Sequence, residues 1–128
     1  MDSMGNRDWL VAANQIQTMI MSSRTEYVAL AAGVVALSTA RLEVFQRSAA
    51  RRLIIAIYLA GAALNLWTTF NLRRQHDLMV SYLVGPEMDP LKSYMLRPAL
   101  GTYIAMHLCV DIGVAIAVWF LPIKLRKN

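Results

Sequence analysis

Three long apolar stretches set the pattern of this chain. Residues 27–40 and 53–72 carry no charged side chain, and residues 99–121 carry one, Asp111, with His107 one helical turn before it. Around 20 apolar residues are needed for a helix to cross a bilayer. The second and third stretches meet that length. The first meets it as part of a helix over 24–45, if the long stem of Arg41 lets its charge reach the nearer surface. The pattern predicts an all-α integral membrane protein with three transmembrane helices, at 24–45, 53–71 and 98–121.

Residues 8–21 read as a separate, shorter helix with Asp8 as its N-cap. Trp9, Ala13, Ile16 and Ile20 fall on one face, while Asn14, Gln17 and Thr18 share another. Fourteen residues cannot span. An amphipathic helix lying in the membrane interface is one reading, with Trp9 at headgroup level. Packing of that face on the protein's own helices is the other. Ser23-Arg24-Thr25-Glu26 has the spacing of a capping box, which marks a fresh helix start at the first span.

Residues 46–52 form a short basic turn, and residues 122–128 a basic tail. Between the second and third spans lies a 25-residue segment, 73–97, long enough to hold structure of its own. Gly85-Pro86 signals a turn, Asp89-Pro90 opens a short helix, and Arg97-Pro98 opens the last span.

Composition supports the membrane reading. The 128 residues are 57% hydrophobic and 16% charged, against about 25% charged in a typical soluble domain. The length suits one membrane domain. The net charge of +5 comes from basic residues at the ends of apolar runs, as expected for anchoring at lipid headgroups. No soluble basic face with aromatics is present, so nucleic-acid binding is not expected. The single cysteine, Cys109, excludes an intramolecular disulfide. The first residues lack the features of a cleaved signal peptide.

Lysine and arginine divide seven to six between the two faces. Arg41, Arg47, Arg51, Arg52, Lys124, Arg126 and Lys127 lie on one side with a single acid, Glu43. The expected topology has the N-terminus outside and the C-terminus inside. Ten arginines against three lysines, with many alanines, are associated with GC-rich bacterial genomes, so a bacterial cytoplasmic membrane is the expected location.

Two stripes mark the last span. Gly101, Ala105, Cys109, Gly113 and Ala117 repeat every fourth residue, the pattern that lets helix backbones approach closely in lipid. Tyr103, His107 and Asp111 form a polar stripe nearly opposite. A carboxylate at bilayer depth costs about 2.5–3.5 kcal/mol on insertion scales, so it needs a partner or a task. Counting helical rise from the inner end, Asp111, Asn65 and His107 fall at about 15, 18 and 21 Å, close enough in depth to form one intramembrane cluster.

A helix with two faces to cover predicts assembly. The leading expectation is a small non-enzymatic subunit that packs into a homo-oligomer or joins other membrane subunits, with membrane lipid as its surroundings. One alternative is an ion or proton conductor using Asp111 and His107. Another is a membrane-embedded metal-binding protein or enzyme, although no ligand-spacing motif is present. His76, Asp77, Glu87 and Asp89 in the 73–97 segment are candidates for a site at the outer face. No cofactor is expected, and soluble-enzyme motifs are missing.

Asn65-x2-Thr68-Thr69 followed by Gly85-Pro86-Glu87-Met88-Asp89-Pro90 resembles, over residues 65–90, an uncharacterised family of small multi-pass prokaryotic membrane proteins with a G-x-E-x-[ND]-P loop. The family pattern has Asp where this chain has Asn65, and a Lys in the following helix that this chain lacks. The resemblance implies a multi-pass membrane fold and carries no activity.

Overall fold

The computed structural model describes residues 5–95 and 100–125, and every regular element among them is helical. They are α1 (Asn6–Ala40), α2 (Leu42–Phe45), α3 (Ser48–Ser81), a 3-10 turn (Pro86–Met88), α4 (Asp89–Met95) and α5 (Leu100–Leu125). Three of these, α1, α3 and α5, contain segments long and apolar enough to cross a membrane. The chain has the architecture of a multi-pass membrane protein.

The first helix differs from expectation in an informative way. It runs unbroken for 35 residues, so the short helix over 8–21 and the first span are one element. The Ser23 capping box does not form. The Ser23 hydroxyl turns inward and lies 3.1 Å from the Thr69 hydroxyl on α3. A tertiary partner wins over a local cap, and the sequence between 21 and 26 holds no helix breaker to oppose it. The start of α1 is capped at Gly5, whose N–H donates to the Asp8 carboxylate at 3.2 Å. Asp8 is therefore the third helical residue and not the N-cap. Its charge there complements the helix dipole.

The apolar face of residues 8–21 is covered by the chain's own α3. Ala13 and Ile20 are buried, and Ala13 packs with Val80 and Leu83. Trp9 stacks on Tyr82 with ring centroids 4.6 Å apart. The interfacial reading required that face to meet lipid.

α3 is also longer than the 53–71 expected, by five residues at its start and ten at its end. Arg73 and Arg74 do not end it, because basic residues are good helix formers and the buried face continues through His76 and Val80. The 25-residue segment therefore shrinks to a short connection after residue 81, the 3-10 turn and α4. Gly85 has φ of +108°, a backbone region in which a side chain is strained. A Cβ there would also collide with the Glu87 carboxylate. The Asn6 side chain fastens this connection, donating to Val84 O at 2.7 Å and accepting from Val84 N–H at 3.0 Å.

At the other end, α1 stops at Arg41, and Phe45 of α2 is buried beneath the turn. The helix α5 passes through Pro122 and continues to Leu125, beyond the end expected at 121. Pro122 supplies no N–H to the Val118 carbonyl one turn back. The Arg51 guanidinium donates to the adjacent carbonyl, Trp119 O, at 3.1 Å, and lies 4.7 Å from the Trp119 ring centroid. The expected helix start at Arg97-Pro98 and the tail residues Arg126 and Lys127 lie outside the described residues.

The three long helices alternate in direction and share one seam. The buried positions repeat every three or four residues: Tyr27, Ala31 and Val34 on α1, Tyr58 and Ala62 on α3, Val114 and Val118 on α5. That spacing is the one by which helices mesh side chains along a common stripe. Many large apolar residues stay exposed on the outer faces, Leu53, Leu64, Trp67, Met106 and Phe120 among them. In water such a surface would aggregate; in lipid it is ordinary.

Candidate functional site

Eight polar side chains from the three long helices meet in the seam. Ser23 and Tyr27 come from α1, Tyr58, Asn65 and Thr69 from α3, and Tyr103, His107 and Asp111 from α5. Each set repeats every four residues or close to a multiple of helical turns, so each helix presents its polar groups on the buried stripe.

Asp111 anchors one end. Its Oδ1 accepts the Tyr27 hydroxyl at 2.6 Å and the Tyr58 hydroxyl at 2.8 Å. Tyr27 also lies 3.2 Å from His107 O and from the Tyr58 hydroxyl. The second carboxylate oxygen, Oδ2, is 3.5 Å from His107 Nδ1. That is ion-pair distance, without the alignment of a hydrogen bond.

The imidazole is fixed from the other side by Asn65. The Asn65 amide donates from Nδ2 to Ser23 O at 2.9 Å and to Ser23 Oγ at 2.8 Å. A backbone carbonyl can only accept, so the amide orientation is set, and Asn65 Oδ1 faces His107 Nε2 at 3.4 Å. That oxygen too can only accept, so Nε2 carries the hydrogen. Nδ1 and Oδ2 are then left facing one another. Two lone pairs at that distance repel, and an uncompensated charge here would be costly. The Tyr27 and Tyr58 hydroxyls compensate the carboxylate at its other oxygen.

Aromatic rings enclose the imidazole. The Tyr27 ring stacks on it at 3.7 Å between centroids, and Tyr103 meets it edge-on at 5.4 Å. Tyr103 donates to the Thr69 hydroxyl at 3.3 Å, and the Arg24 guanidinium lies 4.9 Å from the Tyr103 ring centroid. Beyond Asp111 in the other direction the seam is apolar, through Ala31, Val34, Val114 and Val118. The polar chain thus leads from Asp111 toward the end of the bundle that carries α4, and stops in the middle.

Of the expected cluster, the structure brings together all four members: Asp111, His107, Asn65 and Tyr103. Sequence reading missed Tyr27 and Tyr58, which give the carboxylate its two short contacts, and Ser23 and Thr69. The available signal was a register: Ser23 and Tyr27 are four apart, as are Asn65 and Thr69, and Tyr58 is seven before Asn65.

The four loop candidates separate. His76 and Asp77 lie in α3, His76 buried with Nδ1 3.4 Å from Asp77 Oδ1. Glu87 and Asp89 are exposed, in the 3-10 turn and at the start of α4. Among the described residues no three His, Cys, Asp or Glu side chains converge, and a closed metal centre needs three or four ligands.

The small stripe of α5 points the other way. Gly101, Ala105, Cys109 and Gly113 are exposed, and Ala117 is half-buried. A Cβ built on Gly101 or Gly113 would meet nothing within 4 Å. Gly101 and Gly113 therefore make no close helix contact among the described residues. Comparison with known protein families, with curated proteins and with solved structures finds no match to this chain.

Proposed function

We propose that this chain is a small, non-enzymatic subunit of a bacterial cytoplasmic membrane that assembles through the outer face of α5. Its partner is a second copy or another membrane subunit, and its N-terminus lies outside. One observation carries the reading: four of the five small residues spaced every fourth position are exposed, while the polar stripe opposite is turned into the seam, with His107 buried and Tyr103 and Asp111 part-buried. Lipid gives no hydrophobic drive for helices to associate, so close backbone packing along such a groove is a main source of association.

Cys109 lies exposed on that stripe and provides its own probe. Mild oxidation of native membranes is expected to yield a disulfide-linked species at twice the chain mass, visible on non-reducing gels. Absence of both that species and any larger assembly by native mass spectrometry would sink the proposal.

A second reading draws on the 3.5 Å approach of His107 Nδ1 to Asp111 Oδ2. An intramembrane acid–base pair reached by hydroxyl and amide groups from one side resembles the loading site of a proton carrier. Proteoliposomes with an imposed pH gradient test it. Under this reading Asp111→Asn abolishes proton flux that the wild-type chain supports; equal, background flux from both proteins rules it out.

A further inference from the structure

A second polar feature lies where the seam network ends and shares only Thr69 with it. Between α1, α3 and α4 is a cavity of about 40 Å³, whose polar lining is Gln17, Arg24, Thr69, Arg73, His76 and Asp77. We infer that this cavity binds an oxyanion of the phosphate class, supplied as the headgroup phosphate of a membrane phospholipid or as inorganic phosphate.

The lining is rich in donors. Two guanidinium groups, an imidazole, a hydroxyl and a carboxamide surround the space. Its one carboxylate, Asp77, sits against the His76 ring at 3.4 Å. His76 is only 4% exposed, and the Arg24 Nε is buried with no partner among the described residues. A buried donor left without an acceptor is costly, and an anion seated in the cavity would supply that acceptor. Guanidinium forks match phosphate oxygens in shape as well as charge.

Size sets the class. A water needs some 10–15 Å³ of such space, so the cavity takes about three waters or the oxygens of one phosphate group. It has no room for a nucleotide or a sugar, which would have to remain outside.

Position favours the membrane. The uncharged stretch of α1 begins three residues after Arg24, and that of α3 ends one residue before Arg73. On the membrane placement proposed above, which this inference shares, the cavity stands at the level of the headgroups. The two arginines would grip a phosphate there while the acyl chains run down the exposed apolar faces of α3 and α5. It does not depend on whether α5 pairs with another helix.

Native mass spectrometry of the full chain, delipidated in non-ionic detergent, tests the inference. Dioleoyl-phosphatidylglycerol, dioleoylglycerol and inorganic phosphate are added in separate arms. Retention of one phosphatidylglycerol per chain, with none of the phosphate-free dioleoylglycerol, is the expected result. Arg73→Gln should weaken it at least tenfold. Gln17→Glu should do the same by placing a carboxylate in the lining from an exposed position of α1, where it does not threaten the fold. Binding of inorganic phosphate that both variants lose, without a lipid adduct, would keep the site and assign it a soluble ligand. Equal retention of phosphatidylglycerol and dioleoylglycerol, or undiminished phosphate binding by Gln17→Glu, overturns the inference. Extraction of membranes with alkaline carbonate separately reports whether the chain is integral, so a failure of the shared placement is seen on its own.

Discussion

Replacing His107 with leucine is expected to destabilise the folded chain by about 3 kcal/mol, the scale for removing one partner of a buried pair. The variant leaves Asp111 Oδ2 without its imidazole neighbour and Asn65 Oδ1 without a donor. Tyr27 also loses the ring on which it stacks. The double variant His107→Leu/Asp111→Leu should recover most of that loss. With the carboxylate gone, no charge is stranded, and the Tyr27 and Tyr58 hydroxyls still have His107 O and each other. Reversible unfolding in mixed micelles of rising sodium dodecyl sulfate fraction, followed by tryptophan fluorescence, measures both. A single variant as stable as wild type would show that the pair holds nothing together. A double variant no better than the single would place the loss in packing and not in charge.

Gly113→Leu is expected to abolish association while leaving the isolated chain intact. The new side chain fills the groove on α5 one turn after Cys109 in the small stripe, where backbones would otherwise touch. Inside the chain it meets nothing within 4 Å, and leucine is a better helix former than glycine. Disulfide capture through Cys109 should fall at least tenfold, and the unfolding midpoint should hold or rise slightly. Gly33→Leu on α1 serves as a control, because it too projects into open space on a different helix. Capture unaffected by Gly113→Leu would move the assembly surface off α5.

The three long apolar helices were legible in the sequence because residues 27–40 and 53–72 carry no charge and 99–121 only one. Helix ends were not, and the errors have one cause. Ser23, Arg73 and Arg74 all carry local signals for a boundary, and none of these signals is worth more than a kcal/mol or so. The seam outweighs them. Ser23 and Thr69 bond across it, and His76 and Val80 continue it past the arginines. A chain reader weighing neighbours in sequence cannot see that helices α1 and α3 run beside each other for nearly their full length.

The cluster was legible for a different reason. Asp111 and His107 stand out against an apolar background, and helical rise alone brings Asn65 to their level. Tyr27 and Tyr58 did not stand out, because tyrosine in an apolar run reads as a ring. Only their placement opposite Asp111 makes the hydroxyls matter. The stripe of Gly101 to Ala117 was visible as a pattern, but the sequence could not say whether it faced in or out. The answer came from the opposite stripe, since burying His107 and Asp111 obliges the small residues to face away.

The contact between Tyr27 and Asp111 joins residues 84 positions apart. On a ribosome adding about 5–20 residues per second, the phenol leaves roughly 4–17 s before its acceptor exists. For that interval the hairpin of α1 and α3 must hold without the carboxylate, and the 3.2 Å contact between the Tyr27 and Tyr58 hydroxyls gives each a provisional mate. Asp111 then arrives on the last helix, drawn to a pair of donors already in place. On the membrane placement proposed above, docking on those donors offsets the cost of carrying a carboxylate into the bilayer, so α5 depends on the hairpin being in place first.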